Sequence, residues 1–425
     1  MNCGWRWRRA LAVALAGAAS ATAQPRPNGF YLTTPLGLSY GYDNNFISNG
    51  QELSDKVSIL TGPSLSWKKS THRTRFSMEY QPEFEIFSNY RDLDAWNHSA
   101  IVRYNYQFSG RMSLDAGNFF LSTIDPSRAL DNSLLLLPLG LFHQNSVYGE
   151  LAYRLDRKTK FAFRLDNSVT STSLTGDAAG KLNQVSAGAT ASVERVIDIH
   201  HAVSANVGNL WVRPFDTRLF GSASAVQIVN GGYDYTPNPG LAIRLQGGLV
   251  RGNPTAFTGS AAVEKKLRGL WLAAGYRRYL NFFGGVAQTG PALPGTGFAP
   301  GLAPDSIFQV VSLRAWGNVT KNLSLEMTGQ RALIGLNQQF RPIKGGVGQL
   351  RLDYKITNRL GLFAITEYYG QNLNDFAGMP MARSRYFGGV SITLTRPPAA
   401  EKKTKRRGPP PDDPKKTGEP IPEER

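Results

Sequence analysis

Apolar and polar side chains alternate along the stretch Phe76-Ser-Met-Glu-Tyr-Gln-Pro-Glu-Phe-Glu-Ile86, and this pattern indicates the fold most clearly. Period-two alternation is the signal of a strand with one apolar and one polar face. The segment runs from 73 to 87, whereas strands of globular proteins usually have about 5–6 residues. A tilted strand that crosses a membrane needs about 9–11 residues. The length therefore favours a membrane strand.

Segments of the same kind follow one another along almost the whole chain, and we count 18, although 16 is possible. They lie near 35–46, 57–68, 73–87, 97–108, 111–121, 145–155, 160–172, 183–195, 200–214, 222–235, 240–251, 256–267, 270–282, 306–318, 322–333, 346–356, 360–371 and 385–395. No run of apolar residues approaches the roughly 18–20 that a spanning helix needs. The pattern excludes a helical membrane protein and predicts an all-β chain.

The connections between these segments alternate between short and long. Short ones include 69–71, 109–110, 156–159, 268–269 and 357–359. The longer ones between them are 44–56, 88–96, 122–144, 173–182, 284–305, 334–345 and 372–384. Tight periplasmic turns that alternate with longer outer loops are typical of outer-membrane barrels. A soluble β-sandwich would show the same alternation along its strands, but not this strand length or this turn asymmetry.

We therefore predict a single closed antiparallel transmembrane β-barrel of about 18 strands in the cell outer membrane, formed by residues 24–396. The physical reason is that lipid offers no hydrogen-bond partner to backbone groups, so strands cross only when the sheet closes on itself. The expected partners are outer-membrane lipid, lipopolysaccharide and the barrel-assembly machinery.

Residues 1–23 read as a signal peptide, with three arginines, a short apolar region and an Ala21-Thr22-Ala23 cleavage site. A membrane anchor is the alternative, but the apolar region is too short to cross a bilayer. Cys3 is the only cysteine and lies in this segment, so the expected mature chain has no disulfide and no thiolate metal site. Of the formal charge of +17, about +12 remains on the barrel.

Residues 397–425 are rich in Pro, Lys and acidic residues, and we predict a disordered periplasmic tail. Its basic run at 402–407 could contact a periplasmic partner or anionic cell-wall polymer. A plain solvated tail is the alternative.

The polar faces of the strands supply the candidate lumen-lining residues. These are Glu79, Glu83, Glu85, Arg103, Arg154, Arg164, Asp166 and Arg244. The excess of basic residues favours anions as permeants. The Glu79/Glu83/Glu85 row could also form a cation site or an acid–base pair. A lumen wall compensated by Arg103 on the adjoining strand is the simpler interpretation.

The connection 122–144 contains an unusual apolar run. Its members are Leu134, Leu135, Leu136, Leu137, Leu139, Leu141 and Phe142. Because an exposed apolar patch normally marks a contact site, this loop is a candidate constriction, cap or docking loop. Packing against the barrel rim is the alternative.

Catalytic and nucleic-acid-binding motifs are missing from the sequence. The histidines do not form a metal motif, and no nucleophile elbow, phosphate loop or nucleic-acid-binding module appears. We therefore expect no enzyme, no cofactor, no metal and no nucleic-acid partner. An outer-membrane hydrolase remains the remotest alternative, because His143 is the only histidine in a predicted outer loop.

The motif Gly41-Tyr42-Asp43-Asn44-Asn45-Phe46 at the end of the first strand resembles the opening motif of porin-like outer-membrane β-barrels associated with exopolysaccharide gene clusters. The last strand, with Gly389, Ile392 and Leu394, resembles the barrel-assembly signal but lacks its terminal aromatic residue. The resemblance implies a Gram-negative outer-membrane barrel that is linked to polysaccharide export. The predicted function is a porin-like channel for small solutes or saccharides, with a non-conducting scaffold or export-complex component as the alternative.

Overall fold

The computed structural model describes residues 28–32, 35–44, 54–62, 64–125, 140–174, 183–214, 224–252, 255–282, 285–286, 306–335, 343–357, 359–372 and 380–393. These residues form 18 antiparallel strands. The strands are β1 (Gly29–Leu32 and Pro35–Asn44), β2 (Ser54–Thr61 and Leu65–Ser70), β3 (Thr74–Phe87), β4 (Ala95–Gln107), β5 (Met112–Thr123), β6 (Gly140–Arg154), β7 (Thr159–Leu174), β8 (Gln184–Val196), β9 (His201–Pro214), β10 (Ser224–Asn238), β11 (Leu241–Arg251), β12 (Ala256–Leu267), β13 (Leu270–Phe282), β14 (Ser306–Asn318), β15 (Leu323–Gly335), β16 (Ile343–Lys355), β17 (Leu360–Asn372) and β18 (Pro380–Thr393). A two-residue strand, Gly285–Val286, extends the pairing of β13, and Arg91–Leu93 forms one 3₁₀ turn.

The first and last strands pair with each other and close the sheet. In this seam Leu36 lies opposite Ile392, and Tyr42 lies opposite Tyr386. Every other strand pairs with its neighbours in sequence, so the barrel has no open edge. The prediction of a closed antiparallel barrel is confirmed, and the strand number is 18.

Each strand has an apolar face that points away from the barrel interior. The side chains on this face are exposed although they are apolar, for example Leu165 at 53% and Leu313 at 57%. Such a belt is stable only in contact with lipid, and a closed barrel is the form in which strands cross a bilayer. The chain is therefore an outer-membrane protein.

The other face of each strand forms the inner wall. Tight turns such as 155–158 and 197–200 join the strands at one end, which we call the periplasmic end. The longer connections leave the opposite, outer end.

A β-bulge interrupts the inner wall at β2. Thr61 lies opposite Glu83 and Leu65 lies opposite Tyr80, so four steps along β2 match three along β3. Pro82 of β3 lies at this irregularity, where its carbonyl oxygen accepts a hydrogen bond of 2.9 Å from the Gly62 N–H. A bulge is one of the few places where a sheet accepts proline.

No helix among the described residues is long and apolar enough to cross a membrane. The predicted signal peptide at 1–23 and the predicted tail at 397–425 lie outside the described residues.

Candidate functional site in the barrel lumen

The eight predicted lumen-lining residues all lie on the inner wall, because they alternate with outward-facing apolar neighbours. They are Glu79, Glu83, Glu85, Arg103, Arg154, Arg164, Asp166 and Arg244. They do not form one site. The three glutamates belong to β3. Arg103 lies on β4, and Arg164 and Asp166 lie on β7. Arg154 lies at the periplasmic end of β6, and Arg244 forms an ion pair with Glu264 on β12.

The three glutamates of β3 have different surroundings. The Ser64 hydroxyl donates to Glu79 at 2.8 Å, and the Thr61 hydroxyl donates to Glu83 at 3.3 Å. Glu85 is fully buried and forms an ion pair of 3.4 Å with Arg385. Arg103, which the sequence suggested as the compensating cation, lies opposite Ser77 toward the periplasmic end of the row.

Arg383 is a fully buried cation at the outer end of the closing strand. Its guanidinium donates to both carboxylate oxygens of Asp43, at 2.9 and 2.6 Å. It also donates to both oxygens of Asp125, at 3.1 and 2.8 Å. Bidentate contacts of this kind fix geometry as well as charge. Arg383 therefore joins β1, β18 and the chain that follows β5.

Arg385 extends the same group along β18. Its side chain contacts Asp43 at 3.1 Å, Glu85 at 3.4 Å, Glu367 at 3.3 Å and Asp125 at 3.5 Å. We call these residues the seam network: Asp43, Glu85, Asp125, Glu367, Arg383 and Arg385. The network holds four carboxylates and two guanidinium groups on the inner wall near the outer end.

Two chain segments fold over this sector of the inner wall. One contains Tyr90 and Leu93 after β3, and the other consists of Ile124 and Asp125 after β5. Their apolar side chains pack on a buried cluster of Val57, Ile59, Phe87 and Phe387. The Ile124 N–H donates to the Asn97 side chain at 3.3 Å, and the Asp94 carboxylate accepts from the Phe87 N–H at 2.9 Å. Apolar and ionic contacts therefore hold these residues against the inner wall.

The motif at 41–46 has a structural role in the seam. A Cβ at Gly41 would overlap the backbone oxygen of Tyr386 on β18, so no larger residue fits without a shift. Asp43 belongs to the seam network, and the Asn44 side chain accepts a hydrogen bond from the Ser384 N–H. Asn45 and Phe46 lie outside the described residues.

An uncharged polar patch lies on the inner wall of β6, β7 and β8. Two register rows cross these strands, with Gln144 opposite Thr170, Thr170 opposite Gln184, and serines in the next row. We call the six residues the hydroxyl–amide strip: Gln144, Ser146, Ser168, Thr170, Gln184 and Ser186. All six are buried. The Ser146 and Ser168 hydroxyls are 2.8 Å apart, and the Gln184 Oε1 is buried without a hydrogen-bond partner in the described structure.

The periplasmic half of the wall carries ion pairs that are open to solvent. Arg164 and Asp166 are 2.7 Å apart, with 41% and 34% of their side chains exposed. The remaining pairs are Arg244–Glu264, Arg314–Glu326, Arg351–Asp353 and Lys160–Glu150. Charges of both signs alternate around the wall, so this half is a polar vestibule.

The predicted apolar loop is only partly within the described residues. Leu134, Leu135, Leu136, Leu137 and Leu139 lie outside them. Leu141 and Phe142 belong to β6 rather than to a loop. Leu141 faces outward with 43% of its surface exposed, and Phe142 lies on the inner wall and is buried.

Sequence reasoning missed Asp125, Glu367, Arg383 and Arg385. The predicted last strand begins at Arg385, which leaves Arg383 in a loop, whereas β18 begins at Pro380. Two arginines spaced by two residues on one face of the last strand were the available signal. Among the described residues, no group of three or more His, Cys, Asp and Glu is placed to hold a metal ion.

A closed barrel of 18 strands with an apolar outer belt and a polar inner wall is a porin-like outer-membrane architecture. Solved structures similar to this chain include the following three. OpdL of Pseudomonas aeruginosa is 10% identical with a TM-score of 0.43, over 85% of this chain and 99% of that chain. The BenF-like porin of Pseudomonas fluorescens Pf-5 is 10% identical with a TM-score of 0.46, over 85% of this chain and 98% of that chain. OccK9 (OpdG) of Pseudomonas aeruginosa is 12% identical with a TM-score of 0.46, over 85% of this chain and 98% of that chain. No family model and no curated protein matches the chain.

Proposed function

We propose that the chain is a porin-like channel that conducts small solutes through a wide periplasmic vestibule and a constriction near the outer end. The observation that carries the proposal is the size of the closed barrel together with its polar inner wall. About 8 strands fill their interior with side chains, whereas about 16–18 leave room for an aqueous channel.

The position of the constriction follows from the burial of the inner wall. Side chains of the hydroxyl–amide strip and of the seam network are buried, apart from the partly exposed Glu367, and both groups lie toward the outer end. Paired charges in the periplasmic half, such as Arg351 and Asp353, are 43% and 38% exposed. A solute would therefore meet its narrowest and least hydrated passage in the outer half.

The class of solute that we propose is small, neutral and rich in hydroxyl groups, such as short saccharides. The hydroxyl–amide strip supports this, because it places uncharged donors and acceptors on three adjacent strands of the inner wall. The Gln184 Oε1 is an acceptor without a partner among the described residues. The resemblance of the 41–46 motif to barrels of exopolysaccharide gene clusters supports a role in polysaccharide export.

Osmotic swelling of liposomes that contain the purified chain tests this function. We expect entry of mono- and disaccharides at rates that fall steeply with solute size. Removing three of the four strip hydroxyls in S146A/S168A/T170V should lower the preference for sugars over urea by about threefold, the effect of roughly one hydrogen bond.

A matched control is S324A/T328V, which removes two hydroxyls from the inner wall of β15 outside the strip. This variant should keep the wild-type sugar preference. Equal preference in the strip variant and the wild type would contradict the saccharide proposal but leave the channel proposal standing.

A non-conducting scaffold is the second candidate, and the burial of the outer half of the inner wall favours it. It predicts that liposomes containing the folded barrel do not swell in any of the solutes. Swelling in urea and glycerol would be enough to reject it.

A further inference from the structure

On the adjoining strands β13 to β16, three cations face outward near the outer end of the barrel, where an apolar surface is expected. They are Arg278 on β13, Arg331 on β15 and Lys344 on β16. Their face is fixed by their neighbours, since Tyr276 and Leu333 on the same faces are 41% and 36% exposed. Lys344 and Arg331 are themselves exposed. A cation on the lipid-facing side is unfavourable unless it reaches an interface or an anion.

The strand register brings these cations together. Arg278 lies opposite Gln309, Gln309 lies opposite Leu333, and Leu333 lies opposite Lys344. Neighbouring strands are about 4.8 Å apart, so Arg278 and Lys344 are separated by roughly 14 Å along this row. Arg331 is two residues along β15 from Leu333 and lies between them. We call Arg278, Arg331 and Lys344 the outer cation patch.

The positive charge of the patch is not neutralised on its own surface. The described outward faces of β12 to β16 carry no Asp or Glu side chain. The Arg278 Nε is buried and has no hydrogen-bond partner within the described structure. Because buried donors are normally paired, an additional acceptor is expected for this group, and a bound anion can supply it.

The surface beside the cations is nearly free of side chains. Gly346 lies directly opposite Arg331, and Gly348 follows on the same outward face. A Cβ at Gly329 or Gly348 would meet only open space. An elongated apolar group can therefore lie against the strands while an anionic group meets the cations above it.

The patch is close to the outer ends of its strands, where the headgroups of the outer leaflet lie. Lys344 is the second residue of β16, and Arg278 is four residues before the end of β13. Arginine and lysine both bind phosphate, and anionic lipid attracts basic groups at the membrane surface.

We propose that the outer cation patch is a binding site for the phosphate groups of lipopolysaccharide, with an acyl chain of the same lipid lying on the glycine-lined surface. The proposal requires the outer-membrane location but not the channel function. The cations complement the lipid phosphates, the patch lies at the depth of the headgroups, and the side-chain-free surface accommodates an acyl chain.

Binding of fluorescent lipopolysaccharide to the full chain in detergent micelles tests the site. The variant R278Q/R331Q/K344Q should bind about tenfold more weakly or worse, because three attractive charges are lost. The wild type should bind dephosphorylated lipopolysaccharide about as weakly as the triple variant binds intact lipopolysaccharide. The charge-conserving variant R278K/R331K should keep most of the binding, which distinguishes an effect of lost charge from an effect of lost packing.

The matched control is K69Q/R195Q/K265Q, which removes three outward cations at the periplasmic ends of β2, β8 and β12. It should bind within about twofold of the wild type. Unchanged affinity in the patch variant, or wild-type binding that does not depend on the lipid phosphates, would overturn the proposal. Heat-modifiable electrophoretic mobility shows for each variant that the barrel is folded.

Discussion

Gly41 shows how one residue decides whether the barrel closes. Its missing side chain lets the backbone of β18 approach, and a Cβ there would overlap the Tyr386 oxygen. We expect Gly41→Ala to lower the fraction of chain that shows the mobility of the folded barrel in unheated electrophoresis. Gly388→Ala is the control, since a Cβ at Gly388 on the same seam would meet only open space. Equal folding of the two variants would contradict this account of the seam.

Arg383 is the residue whose loss should cost most stability. Removing this buried cation leaves Arg385 as the one guanidinium among the four carboxylates of the seam network. Breaking a buried ion pair in this way typically costs about 3–5 kcal/mol. We expect Arg383→Ala to lower the free energy of unfolding by this order, measured by denaturant titration of tryptophan fluorescence in micelles.

The control for this prediction is Arg351→Ala. Arg351 also forms two hydrogen bonds to a carboxylate on the inner wall, but 43% of its side chain is exposed. An exposed pair contributes about 0–1 kcal/mol. A loss in Arg351→Ala as large as that in Arg383→Ala would mean that burial of the seam network is not what stabilises it.

At the level of elements, aspartates shape two of the periplasmic turns, 155–158 and 197–200. The Asp156 carboxylate accepts the backbone N–H groups of Lys158 and Thr159, at 2.6 and 2.7 Å. These bonds favour the charged carboxylate and lower the pKa of Asp156, and the bond from the Lys158 N–H has the largest effect. Hydrogen bonds from the His200 and His201 N–H groups act in the same way and lower the pKa of Asp198.

The sign of the pH dependence follows from the lowered pKa. The contribution of Asp156 to the turn is fully present above the pKa of an unfolded aspartate and is lost as the pH falls through the lowered value. A carboxyl titration by NMR should give a pKa for Asp156 below the ordinary range of about 3.9. An ordinary pKa would contradict the turn geometry. Asp156→Asn should keep the turn at all pH values, because its side-chain oxygen still accepts both bonds.

The strands could be predicted from the sequence because each one is long and alternates locally. The segment predicted at 270–282 is observed as Leu270–Phe282, and the one at 306–318 as Ser306–Asn318. Strand ends at the loops were less accurate, as at 145–155, where β6 begins at Gly140. Glycine and polar residues at the outer ends weaken the alternation there.

The contacts inside the lumen could not be predicted in the same way. Asp43 and Arg383 are 340 residues apart in the chain and meet only because the sheet closes. Asp125 joins them from a segment without strand periodicity. The bulge in β2 also has no clear signal in the apolar pattern. Odd-numbered residues such as Val57 and Ile59 face inward before the bulge, whereas even-numbered residues such as Ser64 and Ser66 face inward after it.

At the scale of the whole molecule, the positive charge and the lumen are largely separate. Much of the basic excess lies in periplasmic turns and on outward faces, for example at Arg157, Arg268, Lys321, Arg331 and Lys344. The seam network in the constriction instead holds more carboxylates than arginines. The local field in the constriction, rather than the total charge, sets the preference between ions.

We therefore expect the channel to prefer cations weakly, in contrast to the anion preference that the total charge suggests. A reversal potential measured in a salt gradient checks the sign. Glu367→Gln should reduce the cation preference because it removes one of the four carboxylates. An anion-directed reversal potential in the wild type would show that the seam network does not control the passage.

Single-channel recording in a planar bilayer tests whether the barrel is a channel with a constriction held by the seam network. We expect small stepwise conductance for the wild type and larger steps for Asp125→Ala, because residues 124 and 125 then lose their ionic contact with Arg383. A folded barrel that inserts without any stepwise conductance, in both the wild type and Asp125→Ala, would contradict the claim.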